Sequence, residues 1–212
     1  MNHSTRLPGL LLIAAQLCSA PSTAADNAPA AIPQLAQPDA TLPIDLDANF
    51  SELDRRNNRL IFRQLKIRQG TLAIAADEAT ADPADFENSV WVFTGNVSVD
   101  NAGTKTTCDH AELTFRDNKL RKALLTGQPA RFSQPGTAGN PPTEGRGERL
   151  EFNLDASTIL MAGEAFLSDG KNQISGSRIA YDLQRQVVTA GGTDGGQVRM
   201  RITPPQKPVK AP

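Results

Sequence analysis

The 212-residue chain is poor in the side chains that most enzymes and metal sites use, with only two histidines and two cysteines. No pair of either type stands at a spacing that would hold a metal ion. His3 and Cys18 lie in the first 25 residues, while His110 stands on the polar side of its segment and is predicted to be solvated. Asp77 and Asp109 are interpreted as turn residues that bond to nearby backbone. The sequence therefore predicts no enzyme, no metal site and no cofactor.

Aromatic residues and net charge are also scarce. Aromatic side chains make up 5% of the chain, charged ones 21%, and the formal net charge is -1. This balance gives no basic footprint for a nucleic-acid partner. No window of useful length shows a helical period, whereas Gly, Asn and Asp interrupt the chain about every ten residues. These features predict one all-β domain with flexible ends.

The first residues have the order of a secretory signal. Arg6 is followed by an apolar run from Leu10 to Leu17 and then by small residues up to Ala25. This order predicts a signal peptide over residues 1–25 that is cleaved on export, with an uncleaved membrane anchor as the alternative. Cleavage would leave Cys108 as the only cysteine, so no intramolecular disulfide could form and its thiol is predicted to be a small apolar filler.

The remaining chain divides by composition. Residues 26–51 are rich in Ala, Pro and Asp without a period and are predicted to form a flexible leader. Residues 204–212 have the same character and are predicted to be a disordered tail. The folded domain is therefore expected over residues 52–203.

A short motif recurs through the expected domain. Its copies are FTGNV, LTGQP, MAGEA and GGQV, whose glycines are Gly95, Gly127, Gly163 and Gly196. These glycines are spaced 32, 36 and 33 residues apart. A period in this range is typical of repeated supersecondary units that stack on one another.

Within each unit, apolar residues alternate with the two-residue period of β-strands, but the alternation changes phase once. The change follows a small residue, which is Ala76, Cys108 or Gly176. After Ala76, for example, the apolar positions move from even numbers to odd numbers, at Ala79 and Ala81. Because one extra residue exchanges the faces of a strand, the pattern predicts a β-bulge or a sharp corner at this place in every unit.

These patterns predict an elongated antiparallel meander with about three short strands in each unit, curled so that its apolar faces oppose each other. An ordinary β-sandwich with a closed core is one interpretation. The other is an open-edged roll whose interior holds a ligand. Repetition favours the roll, because stacked units leave strand edges exposed at both ends.

Seven motifs stand in an order that resembles a known family. They are IAAD, VFTGNVSV, AELTF, GQPARF, EGRGERLEF, LMAGEAFL and NQISGSRIAYDL, and the match that includes them runs from about Leu65 to Ile202. In this order they resemble the LptA-type, OstA-like N-terminal family of lipopolysaccharide transport. The resemblance implies a twisted β-jellyroll of roughly sixteen antiparallel strands, open at both ends. It also implies a hydrophobic groove for the acyl chains of lipid A.

The same resemblance implies a location and partners. Such a protein works in the periplasm, binds lipopolysaccharide and stacks head to tail with copies of itself through edge strands. It joins similar folds on inner-membrane and outer-membrane components, and so bridges the two. The alternatives are an inner-membrane-anchored component of the same system with the same fold, a structural envelope protein with a closed core and, third, an enzyme on lipid or glycan.

The motifs also place the groove. Carried over by motif, its lining is expected to include Leu72, Ile74, Phe115, Phe132, Phe152 and Leu154. The alternative for each of these residues is plain core. Arg63, Arg68 and Arg131 are predicted to be solvated, and the alternative is contact with lipid phosphates near the groove mouth.

Overall fold

The protein is described by a computed structural model that covers residues 42–84, 87–136, 141–185, 187–191 and 196–204. The predicted signal peptide, most of the expected leader and nearly all of the expected tail lie outside these residues. The described chain forms strands and turns, in agreement with the all-β prediction. No helix in it is long and apolar enough to cross a membrane.

Twelve strands form one antiparallel sheet among the described residues. They are β1 (Asp45–Asp47), β2 (Phe50–Asp54), β3 (Arg59–Gln69), β4 (Leu72–Asp82), β5 (Val90–Asn101), β6 (Thr104–Arg116), β7 (Lys119–Gln134), β8 (Thr143–Asn153), β9 (Thr158–Ser168), β10 (Gln173–Asp182), β11 (Val187–Ala190) and β12 (Arg199–Arg201). From β3 to β10 each strand pairs with the next along the chain. At the two ends of the sheet, β1 and β2 share β3, and β11 and β12 share β10.

The structure corrects the expected number and length of strands. Each repeat unit consists of two long strands rather than three short ones, and the described residues form twelve strands rather than sixteen. A strand that bends at a bulge keeps its hydrogen-bonded ladder on both sides and so remains one strand. Short strands also occur where a flexible leader was expected, because β1 pairs with Lys66–Arg68 and β2 with Arg59–Arg63 of β3.

A line of β-bulges crosses the sheet, and we call this line the seam. The register shifts between Ala75 and Glu78 where β4 meets β5, and it shifts at the equivalent place in each following pair as far as β9 and β10. The predicted phase changes after Ala76, Cys108 and Gly176 fall on the seam and are thereby confirmed. The alternation of inward and outward positions therefore changes phase at the seam in β4, β6, β7, β8 and β10, while β5 and β9 keep the same phase on both sides of it.

The seam divides the sheet into two halves that face each other. Half-sheet A consists of β2, residues 59–63, 78–82, 90–94, 110–116, 119–126, 149–153, 158–162 and 178–182, and β11. Half-sheet B consists of β1, residues 65–69, 72–76, 97–101, 104–108, 130–134, 143–147, 165–168 and 173–176, and β12. Buried apolar residues of both halves form one continuous core between them.

Glycines and carboxylates meet at the seam. Gly95 has φ +76° and lies under Asp77, so that a Cβ on Gly95 would come within 2.5 Å of the Asp77 Oδ2 atom. Asn96 donates its side-chain amide to the same Asp77 oxygen at 2.7 Å. One unit later, the backbone N–H of Gln128 donates to Asp109 Oδ2 at 3.2 Å. These aspartates therefore stabilise bulges in the middle of strands, which corrects their interpretation as turn residues.

Cys108 lies beside the seam on the inner face of half-sheet B. It is buried and forms no disulfide. Burial raises the pKa of its thiol to about 11, so the thiol is neutral at physiological pH. A neutral buried thiol packs as a small apolar group, as the sequence predicted.

Candidate functional site: an apolar groove between the half-sheets

The interior contains an apolar cavity of about 130 Å³ at the end of the sheet nearest β1. Half-sheet B contributes Ile67, Leu72 and Ile74, and half-sheet A contributes Trp91, Phe93, Leu113 and Phe115; Ile44, which precedes β1, completes the apolar lining. Two polar residues, Gln69 and Asn118, lie where strands of opposite half-sheets end in turns. The cavity is therefore an apolar space with uncharged polar groups at its rim.

Stacked aromatic rings form the wall that half-sheet A contributes to the cavity. The rings of Phe62 and Trp91 are stacked at 6.0 Å with an interplanar angle of 6°, and Trp91 stacks on Phe93 at 6.0 Å and 19°. Phe62 on β3 and Trp91 and Phe93 on β5 lie on either side of β4, and all three face inward because they are in register with its inward residues Ala79 and Ala81. Because these rings are large and rigid, their stacking gives the cavity an extended apolar wall of fixed shape.

The size of the cavity limits what it can hold as it stands. A space of about 150 Å³ lined by apolar side chains accepts one benzene molecule, so a cavity of this order has room for a short part of an acyl chain. A longer chain requires the half-sheets to separate. Close backbone contacts among the described strands are confined to sheet neighbours, so the two half-sheets meet only through side chains. Their separation breaks no backbone ladder.

The electrostatic character of the lining is neutral. None of the residues that surround the cavity is titratable. Among the described residues, no group of three or more His, Cys, Asp or Glu side chains is placed to hold a metal ion. His110 lies at the seam, where its Nδ1 atom is 3.3 Å from the hydroxyl of Thr94. The arrangement is suited to binding an apolar chain and offers no group for proton transfer within the cavity.

The two walls of the groove differ in polarity. Five of the six buried polar residues of the described chain are Asn101, Thr104, Thr106, Thr143 and Ser168 of half-sheet B. The buried strand residues of half-sheet A are aliphatic or aromatic, and their only side-chain polar groups are the Tyr181 hydroxyl and the Trp91 indole N–H. Hydroxyl groups on the wall of half-sheet B can bond to water or to a polar ligand atom, whereas the wall of half-sheet A offers mainly apolar contact.

The structure brings three of the six predicted groove residues together. Leu72, Ile74 and Phe115 line the cavity. Phe132 and Phe152 are 2% and 4% exposed in the core between the half-sheets, and Leu154 packs against that core where β8 ends. None of these three lines the cavity. Their contact with lipid, like that of the first three, remains a prediction.

Sequence reasoning missed part of the cavity. Trp91 and Phe93 were not chosen, although the run VWVF, apolar on both faces, was a signal that could have found them. Ile44 was assigned to the leader. Of the three arginines considered for lipid phosphates, Arg63 lies within 3.9 Å of Glu78 and Arg68 within 3.9 Å of Asp47. Arg131 is exposed on the outer face of half-sheet B and does not line the cavity.

Comparison with known proteins supports this architecture. A family model described as "LptA/(LptD N-terminal domain) LPS transport protein" matches residues 78–187, which is just over half of the chain. The lipopolysaccharide export system protein LptA of Escherichia coli strain K12 is 28% identical over 131 residues, 61% of this chain and 70% of that protein. The lipopolysaccharide export system protein LptH of Pseudomonas aeruginosa is 28% identical over 132 residues, 62% of this chain and 74% of that protein.

A solved structure has the same fold. It is the crystal structure of LptH from Pseudomonas aeruginosa, described as the LptA-homologous periplasmic component of the lipopolysaccharide transport device. The TM-score is 0.50 at 23% identity, and the match covers 78% of this chain and 99% of that one. The prediction of an elongated antiparallel β-jellyroll is confirmed. Together with the family match, this shows that the chain belongs to the LptA/(LptD N-terminal domain) family of lipopolysaccharide transport proteins.

Proposed function

We propose that this protein is a periplasmic carrier that binds lipopolysaccharide through its lipid A acyl chains and bridges inner-membrane and outer-membrane transport components. The observation that carries the proposal is the uncharged apolar cavity between two half-sheets that meet only through side chains. Each acyl methylene moved from water into such a space gains about 0.8 kcal/mol. Carriage by this means needs no cofactor and no catalytic group.

The carrier proposal is tested by photocrosslinking from two neighbouring positions on β4. Leu72 lines the cavity, while Ala73 lies on the outer face of the same strand, and both are half-buried. A photoreactive residue at position 72 is expected to crosslink purified lipopolysaccharide, because the acyl chains enter the groove. A photoreactive residue at position 73 is the matched control and is expected to give no crosslink.

Two results would contradict the carrier proposal. Equal crosslinking from both positions would mean that lipid coats the surface instead of entering the groove. An absence of crosslinks from position 72 in folded protein, repeated at Phe115 on the opposite wall, would favour the closed-core structural protein. The structural alternative predicts the second result.

The ends of the sheet support the bridging part of the proposal. All eight large apolar side chains that are exposed in the described chain lie on or beside the four terminal strands: Leu42, Ile44, Phe50 and Leu53 at one end, and Val187, Val188, Met200 and Ile202 at the other. Each of these strands has a single sheet partner. Unpaired edges with apolar side chains favour the addition of further strands. We infer that copies join head to tail, and that related folds join the same edges.

Self-association is tested by adding charge to one edge. Val188 and Met200 oppose the inward residues Tyr181 and Ile174, so Val188→Lys with Met200→Lys places charge where a second copy would cover the core. We expect this variant to remain monomeric in analytical ultracentrifugation while the unmodified protein forms longer species as concentration rises. Thr189→Lys, which adds the same charge on the outer face of β11, should leave association unchanged. An equal effect of both variants would contradict pairing through this edge.

Export by a cleaved signal peptide belongs to the same proposal. N-terminal sequencing of the protein recovered from the periplasm is expected to show a start near residue 26. An intact N-terminus in the membrane fraction would instead favour the inner-membrane-anchored component.

A further inference from the structure

The outer face of half-sheet B carries a row of side chains that the groove does not use. In cross-strand register, Thr107 lies opposite Arg131, Arg131 opposite Arg146, and Arg146 opposite Phe166. The first three side chains are exposed, and Phe166 is half-buried. Lys105, the next outward residue on β6, is exposed beside them. The row therefore brings three positive charges together on a surface directed away from the groove.

Two arginines directly opposite each other are unfavourable by themselves. On adjacent antiparallel strands the Cβ atoms of such a pair are about 5 Å apart, and like charges at this distance destabilise the sheet. Within the described chain no carboxylate lies within ion-pair distance of Arg131 or Arg146, since the ion pairs found there use other arginines. Their guanidinium groups thus keep their donors available for an anion.

The molecule contains a second arginine–aromatic pair, and the two pairs differ in whether a carboxylate lies near the arginine. The Arg63 guanidinium lies 5.1 Å from the centre of the Phe50 ring and has Glu78 within 3.9 Å. The Arg146 guanidinium lies 4.7 Å from the centre of the Phe166 ring and has no such carboxylate among the described residues. Phe166 therefore holds the Arg146 plane in position while its N–H groups remain free to bind.

These side chains surround a depression of about 410 Å³. Its rim includes Lys105, Thr107, Arg131, Ser133 and Arg146. Arginine matches phosphate with paired N–H donors, and hydroxyl groups add further donors. One acidic residue, Glu144, also lines the depression and opposes an anion there.

We propose that this depression is a binding site for a phosphate group, separate from the groove on the other side of half-sheet B. The phosphate is either that of a lipopolysaccharide headgroup or free inorganic phosphate. Both present the same chemistry to the two arginines.

The site is tested with inorganic phosphate and the folded protein. Side-chain NMR signals of Arg131 and Arg146 are expected to shift with phosphate and to move less with chloride at the same ionic strength. The double variant Arg131→Gln with Arg146→Gln should bind phosphate at least about tenfold more weakly, because two charge-assisted contacts are lost. Glu144→Gln should bind it more tightly, since it removes the opposing charge. Arg63→Gln is the matched control and should bind phosphate unchanged.

A second arm identifies the source of the phosphate. If the double variant weakens binding of intact lipopolysaccharide but not of dephosphorylated lipopolysaccharide, the headgroup is the ligand. If it weakens binding of inorganic phosphate alone, free phosphate is the ligand. Either result supports the site.

The proposal is overturned if phosphate and chloride shift the arginine signals equally, or if Arg63→Gln weakens binding as much as the double variant. At saturating lipopolysaccharide, crosslinking from position 72 reports on the groove and should persist in every variant. A failure of the phosphate site therefore leaves the carrier proposal standing, and loss of that crosslink from unmodified protein would count against the carrier only.

Discussion

The two half-sheets are built from the same long strands, yet their inner faces differ. Half-sheet A presents stacked rings such as Trp91 and Phe93, while half-sheet B presents Thr104, Thr106 and Thr143 near its turns. The seam separates the two walls, because the register of the ladders shifts there and each long strand enters the second half-sheet beyond it. Crossing the bulge lets one strand contribute an apolar residue to one wall and a hydroxyl to the other. The groove therefore has one wall suited to packing and one that tolerates water.

The largest effect is expected from removing an aromatic ring of half-sheet A. Phe93 is 1% exposed and lines the cavity, so Phe93→Ala should lower the free energy of unfolding by about 4 kcal/mol through lost burial and an enlarged cavity. Phe50→Ala, at an exposed edge position, is the control and should cost less than about 1 kcal/mol. Urea unfolding measures both. If the two variants lost similar amounts of unfolding free energy, the tight packing inferred for the wall of half-sheet A would be contradicted.

A change at the seam should come next in size. Gly95→Val forces a β-branched residue into φ +76° and against the Asp77 carboxylate, and we expect a loss of about 3 kcal/mol. Gly103→Val is the control, because Gly103 has φ +86° but no atom within 4 Å of a built Cβ. It should lose only the part due to backbone strain, about 1–2 kcal/mol. Equal losses in urea unfolding would show that contact with Asp77 does not matter.

The buried thiol of half-sheet B predicts a dependence on alkaline pH. The pKa of Cys108 rises from 9.0 to about 11 on folding. Its contribution to stability is complete below pH 9 and is lost as pH rises from 9 towards 11, because the unfolded thiol ionises first. The loss should reach about 2 kcal/mol. Urea unfolding of the unmodified protein and of Cys108→Ala across this pH range gives the difference in their unfolding free energies, which isolates the contribution of the thiol from that of other groups. A difference that does not change with pH would contradict the prediction.

The smallest change is expected on the hydroxyl-bearing wall. Thr106 is 5% exposed and lies opposite Phe132, so Thr106→Val replaces a buried hydroxyl with a methyl group. We expect the free energy of unfolding to rise by about 0.5–1 kcal/mol, since the hydroxyl is costly to bury. Thr107→Val, at the exposed neighbouring position, should be close to neutral. A loss of stability on Thr106→Val would show that the hydroxyl is held by bonds and that this wall does not tolerate water.

The sequence was sufficient for features that depend on neighbouring residues. The phase change after Ala76 and after Cys108 was visible because a bulge moves the alternation of the residues beside it. β1 was not found, since Asp45–Asp47 is only three residues long and is held by pairing with Lys66–Arg68 about twenty residues away. The cavity and the outer arginine pair depend on register between strands, which the residues of one strand do not specify.

The arrangement of the terminal strands determines how a second copy would be held at either end of the sheet. The long strands from β3 to β10 run through both half-sheets, but at each end of the sheet the two halves finish in separate short strands, β1 and β2 or β11 and β12. A copy docked at such an end would be held by two independent ladders. One ladder could separate while the hydrogen bonds of the other are retained. Such a joint could bend and still remain connected.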